Sequence, residues 1–436
     1  MEESRVPGAR RPSVAVVAGL IVAVLALAGG VVACLTSSEP AALAKPTPSR
    51  AATPFEQAAA VLDQQAAALM KGDEKGWLAA VDPGRPTLVS QYRSMFRNLR
   101  GLGVSHAEFH ARPPASGVVH DKPGVVTAQL LFGYCFDEAP CPSWRAGVGD
   151  GPPKTTSQLT FKLVDGKYLI NAAVDPAGMN FNGLEPAPWE GADLVLAHGE
   201  RVTVAATRSQ AKHVKAMVVA AEKAAVAADR FARYLGTPQR RYRIYLADQR
   251  TWKSWYGGDQ PKWAIGYELP LNSTGADIVF RTSEVMAEPG GPLSIVQHEM
   301  GHVVTLAGLT HSETSDDQWL EEGIAEYVGE RPGAARTAGN RNILAAAFRR
   351  GNAPRTIALP PLADDADDRT VDRLYAMGHF ATKCMADQYG ERRLFTFVDR
   401  VLRHGDKPDP AARAAFGRSF STVDRSCLTW IEREVT

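Results

Sequence analysis

Apolar and polar positions follow three different periods along this chain. Residues 14–35 form 22 uninterrupted apolar or glycine positions. From Phe55 to Met70 the apolar residues, largely alanine, recur at helical spacing, and a Gly-Asp-Glu-Lys-Gly turn leads into a second helix around Trp77. Tyr92–Leu99 reads as a third helix. The period then falls to two, predicting strands over Val104–His110, Val125–Phe136, Thr156–Val164 and Tyr168–Ala173. Asp165-Gly166 joins the last two as a tight hairpin. Helices followed by antiparallel strands predict an α+β arrangement for 55–175. Further on come a strand at Val202–Ala206, a long alanine-rich helix from about Gln210 to Leu235, and strands at Tyr242–Ala247 and Ala276–Phe280. Between those last two strands lies a loop-rich stretch with Trp252, Trp255 and Trp263, and after Glu330 the pattern is mostly helical. Of the three tryptophans, core packing is the commoner use and a place in a groove the alternative.

These segments divide the chain into 1–12, 13–35, 36–54, 55–175, 176–190 and 191–436. At 1.5 Å per residue the 14–35 run reaches about 33 Å as a helix, enough to cross a bilayer. Arg5, Arg10 and Arg11 precede it, which predicts a cytoplasmic N-terminus, a single-pass anchor and an extracytoplasmic remainder. Two rivals are a cleavable signal segment and a lipoprotein acylated at Cys34, since Val31-Val32-Ala33-Cys34 resembles a loose lipobox. The length of the run favours the uncleaved anchor. Residues 36–54, rich in Ala, Pro, Ser and Thr, predict an extended spacer, and 176–190, with Asn180, Asn182, Pro186 and Pro188, a linker. Lys plus Arg number 49 against 48 acidic residues, so no basic field for nucleic acid exists. Beyond Cys34 there are four cysteines. Cys135 and Cys141 flank a five-residue loop they could close, leaving Cys384 and Cys427 as the other pair. Four cysteines allow three pairings, and an oxidising compartment favours disulfides over four buried thiols.

The chemistry concentrates in His298-Glu299-Met300-Gly301-His302, an HExxH run inside a helical pattern. Histidines four apart on a helix stand one above the other, so both imidazoles reach a single zinc ion. Glu299 projects to the adjacent part of that face, as a base for the water to be activated. Val296, Met300, Val303, Val304 and Ala307 form the opposite, core-facing stripe, and Ile295 and Leu306 flank the histidines. A catalytic zinc takes three protein ligands. Residues 319–327, Trp-Leu-Glu-Glu-Gly-Ile-Ala-Glu-Tyr, supply a second helix with Glu322 as the third ligand. Glu326, one turn further, is placed to accept the remaining N–H of a ligand histidine. Glu321 is the rival third ligand.

HExxH followed by WLxEGxAEY over about 190–400 resembles the gluzincin zinc metallopeptidases, the thermolysin- and aminopeptidase-like branch. The resemblance implies a mostly helical domain with a small sheet, His298, His302 and Glu322 as zinc ligands, and Glu299 as general base. Metzincins are excluded, because Thr305 and Gly308 stand where they need glycine and histidine. By the same resemblance Tyr375, in Tyr375-Ala-Met-Gly378 at the start of a helix, matches the tyrosine that stabilises the oxyanion. His379 is the weaker alternative donor, and a core tyrosine is the competing reading. The strand Ala276–Phe280 lacks the Met-Glu-Asn run of the exopeptidases, so the expected activity is that of an endopeptidase on a peptide or protein substrate. A binding protein on a repurposed peptidase fold is the alternative. Region 55–175 resembles the nuclear transport factor 2-like cone in element order. His106, His110, His120 and His311 read as surface residues, and the acidic loop 364–368 as solvated.

Overall fold

Thr53 and Glu56 start the first helix reciprocally: the Thr53 hydroxyl accepts from the Glu56 N–H, and the Glu56 carboxylate accepts from the Thr53 N–H. α1 (Pro54–Lys71) ends at Gly72, α2 (Glu74–Leu78) is capped by Asp73, and α3 (Pro86–Gly101) follows. These helices pack on an antiparallel meander of β1 (Val104–Arg112), β2 (Val125–Phe136), β3 (Lys154–Val164) and β4 (Lys167–Val174), paired in that order. The hairpin turn falls at Asp165 and Gly166, with φ of 48° and 79°, the left-handed pair that a two-residue turn requires. Trp77 is fully buried against Tyr92, Phe96 and Phe109.

The computed structural model describes residues 50–114, 122–136, 141–145, 151–174, 185–258, 260–272, 275–289, 291–309, 317–330 and 335–436. The anchor segment 14–35 with Cys34, most of the 36–54 spacer, Asn180, Asn182, His120 and His311 lie outside these. Among the described residues, no helix is long and apolar enough to cross a membrane. Of the 176–190 stretch, the described end is not extended. α4 (Pro188–Gly191) seats a fully buried Trp189 edge-on to Phe132 at 5.6 Å and to Tyr134 at 5.1 Å.

A second sheet is built from β5 (Leu194–His198), β6 (Val202–Thr207), β7 (Tyr242–Ala247), β8 (Gly266–Asn272) and β9 (Gly275–Arg281), in the order β5-β6-β7-β9-β8. β6, β7 and β9 are parallel and buried on both faces, which is why they read as near-continuous apolar runs. β5 and β8 are antiparallel edges. Sequence periodicity missed both, and the strand beside the site is therefore β8 rather than the 276–280 strand. Val204, Ile244, Ile278 and Phe280 face α5 (Val214–Leu235) and α8 (Leu293–Thr305), while Ala205, Tyr245 and Val279 face the aromatic cluster of the N-terminal region. One apolar core thus runs from Trp77 through Trp189 to the second sheet. Short helices α6 (Gln249–Trp252) and α7 (Thr282–Val285) border that sheet. Trp252 and Trp255 are core residues.

The remainder is helical: α9 (Gln318–Gly329), α10 (Ala335–Arg349), α11 (Asp368–Tyr389), α12 (Glu391–Val398), α13 (Pro408–Phe416) and α14 (Phe420–Val435) enclose a further core. α11 begins at Asp368, not after Tyr375, because Asp367 from the acidic loop caps it by accepting from the Thr370 N–H. Disulfides join Cys135 to Cys141 and Cys384 to Cys427, the latter tying α11 to α14.

α9 and α11 touch backbone to backbone at Gly323 and Gly378. A Cβ on Gly323 would stand 2.5 Å from the Gly378 carbonyl oxygen, and Thr382 of α11 donates to the Gly323 carbonyl at 2.9 Å. Gly323→Ala is expected to cost about 2–3 kcal/mol by forcing the helices apart. A lowered urea midpoint checks this; an unchanged midpoint would show that the helices yield freely.

Candidate metal centre

α8 is buried on every side, which a helix between two lobes must be: Val296, Met300 and Val304 pack beneath the second sheet, and His298, Glu299 and His302 line a cleft. α9 crosses α8 with Trp319, Leu320, Ile324 and Ala325 fully buried, which turns Glu322 toward the two imidazoles. His298 Nε2 lies 3.1 Å from His302 Nε2, and the Glu322 Oε2 atom is 3.2 Å from the first and 3.4 Å from the second. Among the described residues these three form the one group of this kind, with all ligand atoms within 4.8 Å of one another. Glu321 lines the same cleft but is not in that group.

A triangle of that size lets all three corners sit about 2.0–2.2 Å from a common point, the bond length zinc takes to nitrogen and oxygen. The donor set has the same logic. Neutral imidazole Nε2 atoms and a carboxylate oxygen are all lone-pair acceptors, so only a cation or a shared proton reconciles them at this range. The residues fit a zinc ion.

Without metal, protons take its place. Burial alone would lower the His302 pKa, but Glu322, together with Glu299 and Glu321, raises it to about 10. His298 is likewise raised: burial opposes, while Glu322 and Glu326 outweigh it. Burial would lift Glu322, yet its bonds to both histidines hold it well below the usual carboxylate range. His302 therefore carries a proton at pH 7 that a metal must displace. Zinc binding is expected to release at least one proton at pH 7, and apparent affinity to rise about tenfold per pH unit toward pH 10. Calorimetry in buffers of different ionisation enthalpy measures the release; zero protons at pH 7 would refute it.

Behind the site, His298 Nδ1 lies 3.0 Å from Glu326 Oε1, the contact that the spacing Glu322–Glu326 predicts. The other oxygen, Oε2, accepts from Asn340 Nδ2 at 2.9 Å. Asn340 also reaches His379 Nδ1 at 2.9 Å, and His379 Nε2 lies 3.0 Å from Glu330 Oε2. His379 is thus fully buried behind the metal site and does not serve as an oxyanion donor.

Tyr375 faces the cleft. Its ring stacks on His298 at 5.8 Å. Burial and the carboxylates of Glu322 and Glu299 push its phenol well above the usual value, so it stays a donor at neutral pH. Trp263 packs edge-on to Tyr375 at 6.3 Å, making it the one groove residue among the three tryptophans. Glu268, on β8, also lines the cleft, and burial raises its carboxyl to about 8. Sequence reading overlooked it because β8 itself was not recognised. Gly266 of β8 lies so close to Glu299 that a Cβ there would stand 2.9 Å from Oε1. In the N-terminal region His106 and His110 both pair with Glu108, at 3.3 and 3.1 Å, on β1.

No protein-family model matches this chain, and no curated relative does. Among solved structures it is similar to a two-domain M1 zinc metallopeptidase mutant bound to L-tryptophan, at 13% identity with a TM-score of 0.31. That match covers 71% of this chain and 61% of the other. So slight a likeness does not bear on the site, whose reading rests on its own geometry.

Proposed function

We propose that this protein is a zinc metallopeptidase of the gluzincin type that cleaves within peptide chains. The observation that carries the reading is the convergence of His298, His302 and Glu322 at 3.1–3.4 Å, with Glu299 beside them in an open cleft.

His298, His302 and Glu322 would hold the ion. A zinc ion held there would lower the pKa of a bound water toward neutrality and polarise a carbonyl. Glu299 takes the proton of the attacking water and returns one to the leaving amine. Tyr375, kept as a neutral phenol, donates to the oxygen on which negative charge gathers. Glu326 Oε1, 3.0 Å from His298 Nδ1, would hold that nitrogen's proton and so leave Nε2 facing the site.

Endopeptidase action draws support from the groove. The cleft of about 270 Å³ shares Glu268 and Leu306 with a neighbouring cavity of about 260 Å³ that continues past Pro270 and Asn272 to Arg403. β8 pairs on one side only, leaving an edge on which an extended peptide can add as a strand. Room beyond the reacting centre on that side suits a chain rather than a terminal residue. We also propose that residues 14–35 tether the enzyme with its folded part outside the cytoplasm, in keeping with the Arg5, Arg10, Arg11 flank and the two disulfides. Mass determination of the mature N-terminus tests the tether: a start at residue 34 would replace it with a lipid anchor.

Purified full-length chain should contain one zinc per molecule and cleave members of a peptide library. A chelator should abolish the cleavage and added zinc restore it. Zinc without cleavage of any peptide would favour a binding protein instead, and absence of zinc would overturn the reading altogether.

A further inference from the structure

We propose that Asn340 and His379 are positioning residues of the metal centre, acting on His298 through Glu326; this rests on the zinc reading above. The two residues come from α10 and α11, outside the helices that carry the motif, and each is buried, at 9% and 0% exposure.

The direction of every proton in this chain of contacts follows from chemistry. The Asn340 amide nitrogen has two N–H groups and no lone pair to offer. One points to Glu326 Oε2 and the other to His379 Nδ1, both at 2.9 Å. Turning the amide over would set its carbonyl oxygen against the Glu326 carboxylate, so the orientation is fixed by repulsion as well as by bonding. His379 Nδ1 must then be the acceptor, which puts its proton on Nε2, 3.0 Å from Glu330 Oε2. At the other end, Glu326 Oε1 lies 3.0 Å from His298 Nδ1. That proximity favours the His298 tautomer with its proton on Nδ1, which leaves Nε2 to face the metal site. Glu330, where α9 finishes, fixes the far end of the chain of contacts by taking the His379 Nε2 proton.

An asparagine is well matched to this task. It holds two acceptors without adding charge to a buried site that already contains Glu322, Glu326 and Glu330. Removing it takes a donor from Glu326 and leaves that carboxylate less constrained behind His298. Partners behind a metal-binding histidine are worth about 10–100-fold in metal affinity.

The test measures zinc dissociation constants of the full-length chain by competition with a chromophoric chelator. Asn340→Ala, and Asn340→Leu as a volume-preserving partner, are expected to weaken zinc binding about tenfold or more. In a Glu326→Ala background, adding Asn340→Ala should weaken binding no further, because the route to His298 is already cut. A merely structural asparagine would instead give losses that multiply. The inference is overturned by dissociation constants of both single variants within twofold of wild type, or by multiplicative losses in the double variant. Either result leaves the zinc reading standing; only a wild-type chain that takes up no zinc would end both.

Discussion

Glu299→Gln is expected to keep one zinc per chain and to lower kcat by about 10²–10⁴-fold, the range a positioned general base contributes. Glu299 is not one of the three converging ligand residues, so its amide leaves the ion's coordination intact. Gln has nearly the shape of Glu, so the tight fit beneath Gly266 is preserved and the fold should not move. What disappears is the ability to accept a proton. The loss corresponds to about 3–5 kcal/mol of barrier, and it should fall on kcat while zinc content stays at one. Metal analysis alongside single-turnover kinetics separates these quantities. Wild-type turnover in this variant would falsify the role of Glu299, and loss of zinc would assign it to the ligand set instead.

Removing the Cys384–Cys427 bond should lower unfolding free energy by about 4 kcal/mol. The two cysteines are 43 residues apart, and a loop of that length loses roughly this much entropy of the unfolded chain when crosslinked. Against the usual 5–15 kcal/mol of a folded domain, the loss is severe. Both sulfurs are fully buried between α11 and α14, so the double alanine variant also leaves a small void. Cys135–Cys141 closes a span of six and should contribute about 2 kcal/mol. Urea denaturation of the two double-alanine variants ranks them. Equal midpoints would mean that the unfolded chain is not what the longer bridge constrains.

Much of the site was legible because its chemistry is local. Two histidines four apart on a helix cannot avoid sharing a face, while the choice of Glu322 over Glu321 came from the resemblance to gluzincins rather than from spacing. The Asp165-Gly166 turn was legible for a similar reason, since few residue pairs tolerate left-handed backbone at both positions. β8 was not, because Gly-Tyr-Glu-Leu-Pro-Leu-Asn carries a proline and a glycine that speak against a strand. An edge strand pairs on one side only, so the missing N–H of Pro270 is tolerated there. The start of α11 was misplaced because its first turns are polar and exposed, and the signal lay in Asp367 as a cap rather than in any apolar stripe. Asn340 has no local signature at all. Its role exists only where α10 and α11 meet, which no spacing along the chain reports.

The rim strand β8 beside the candidate metal site belongs to two environments at once. Gly266, Tyr267, Glu268, Pro270 and Asn272 border the grooves, while Leu269 and Leu271, with part of Tyr267, pack into the aromatic mass built by the first helices and the four-stranded meander. The ceiling under which a substrate would lie is therefore set in part by side chains outside the cleft. A bulkier or smaller residue near Phe132 or Trp189, more than a hundred positions upstream of His298, is expected to tilt that ceiling. If the proposed activity holds, selectivity can drift through the remote interior while every group proposed to react stays unchanged.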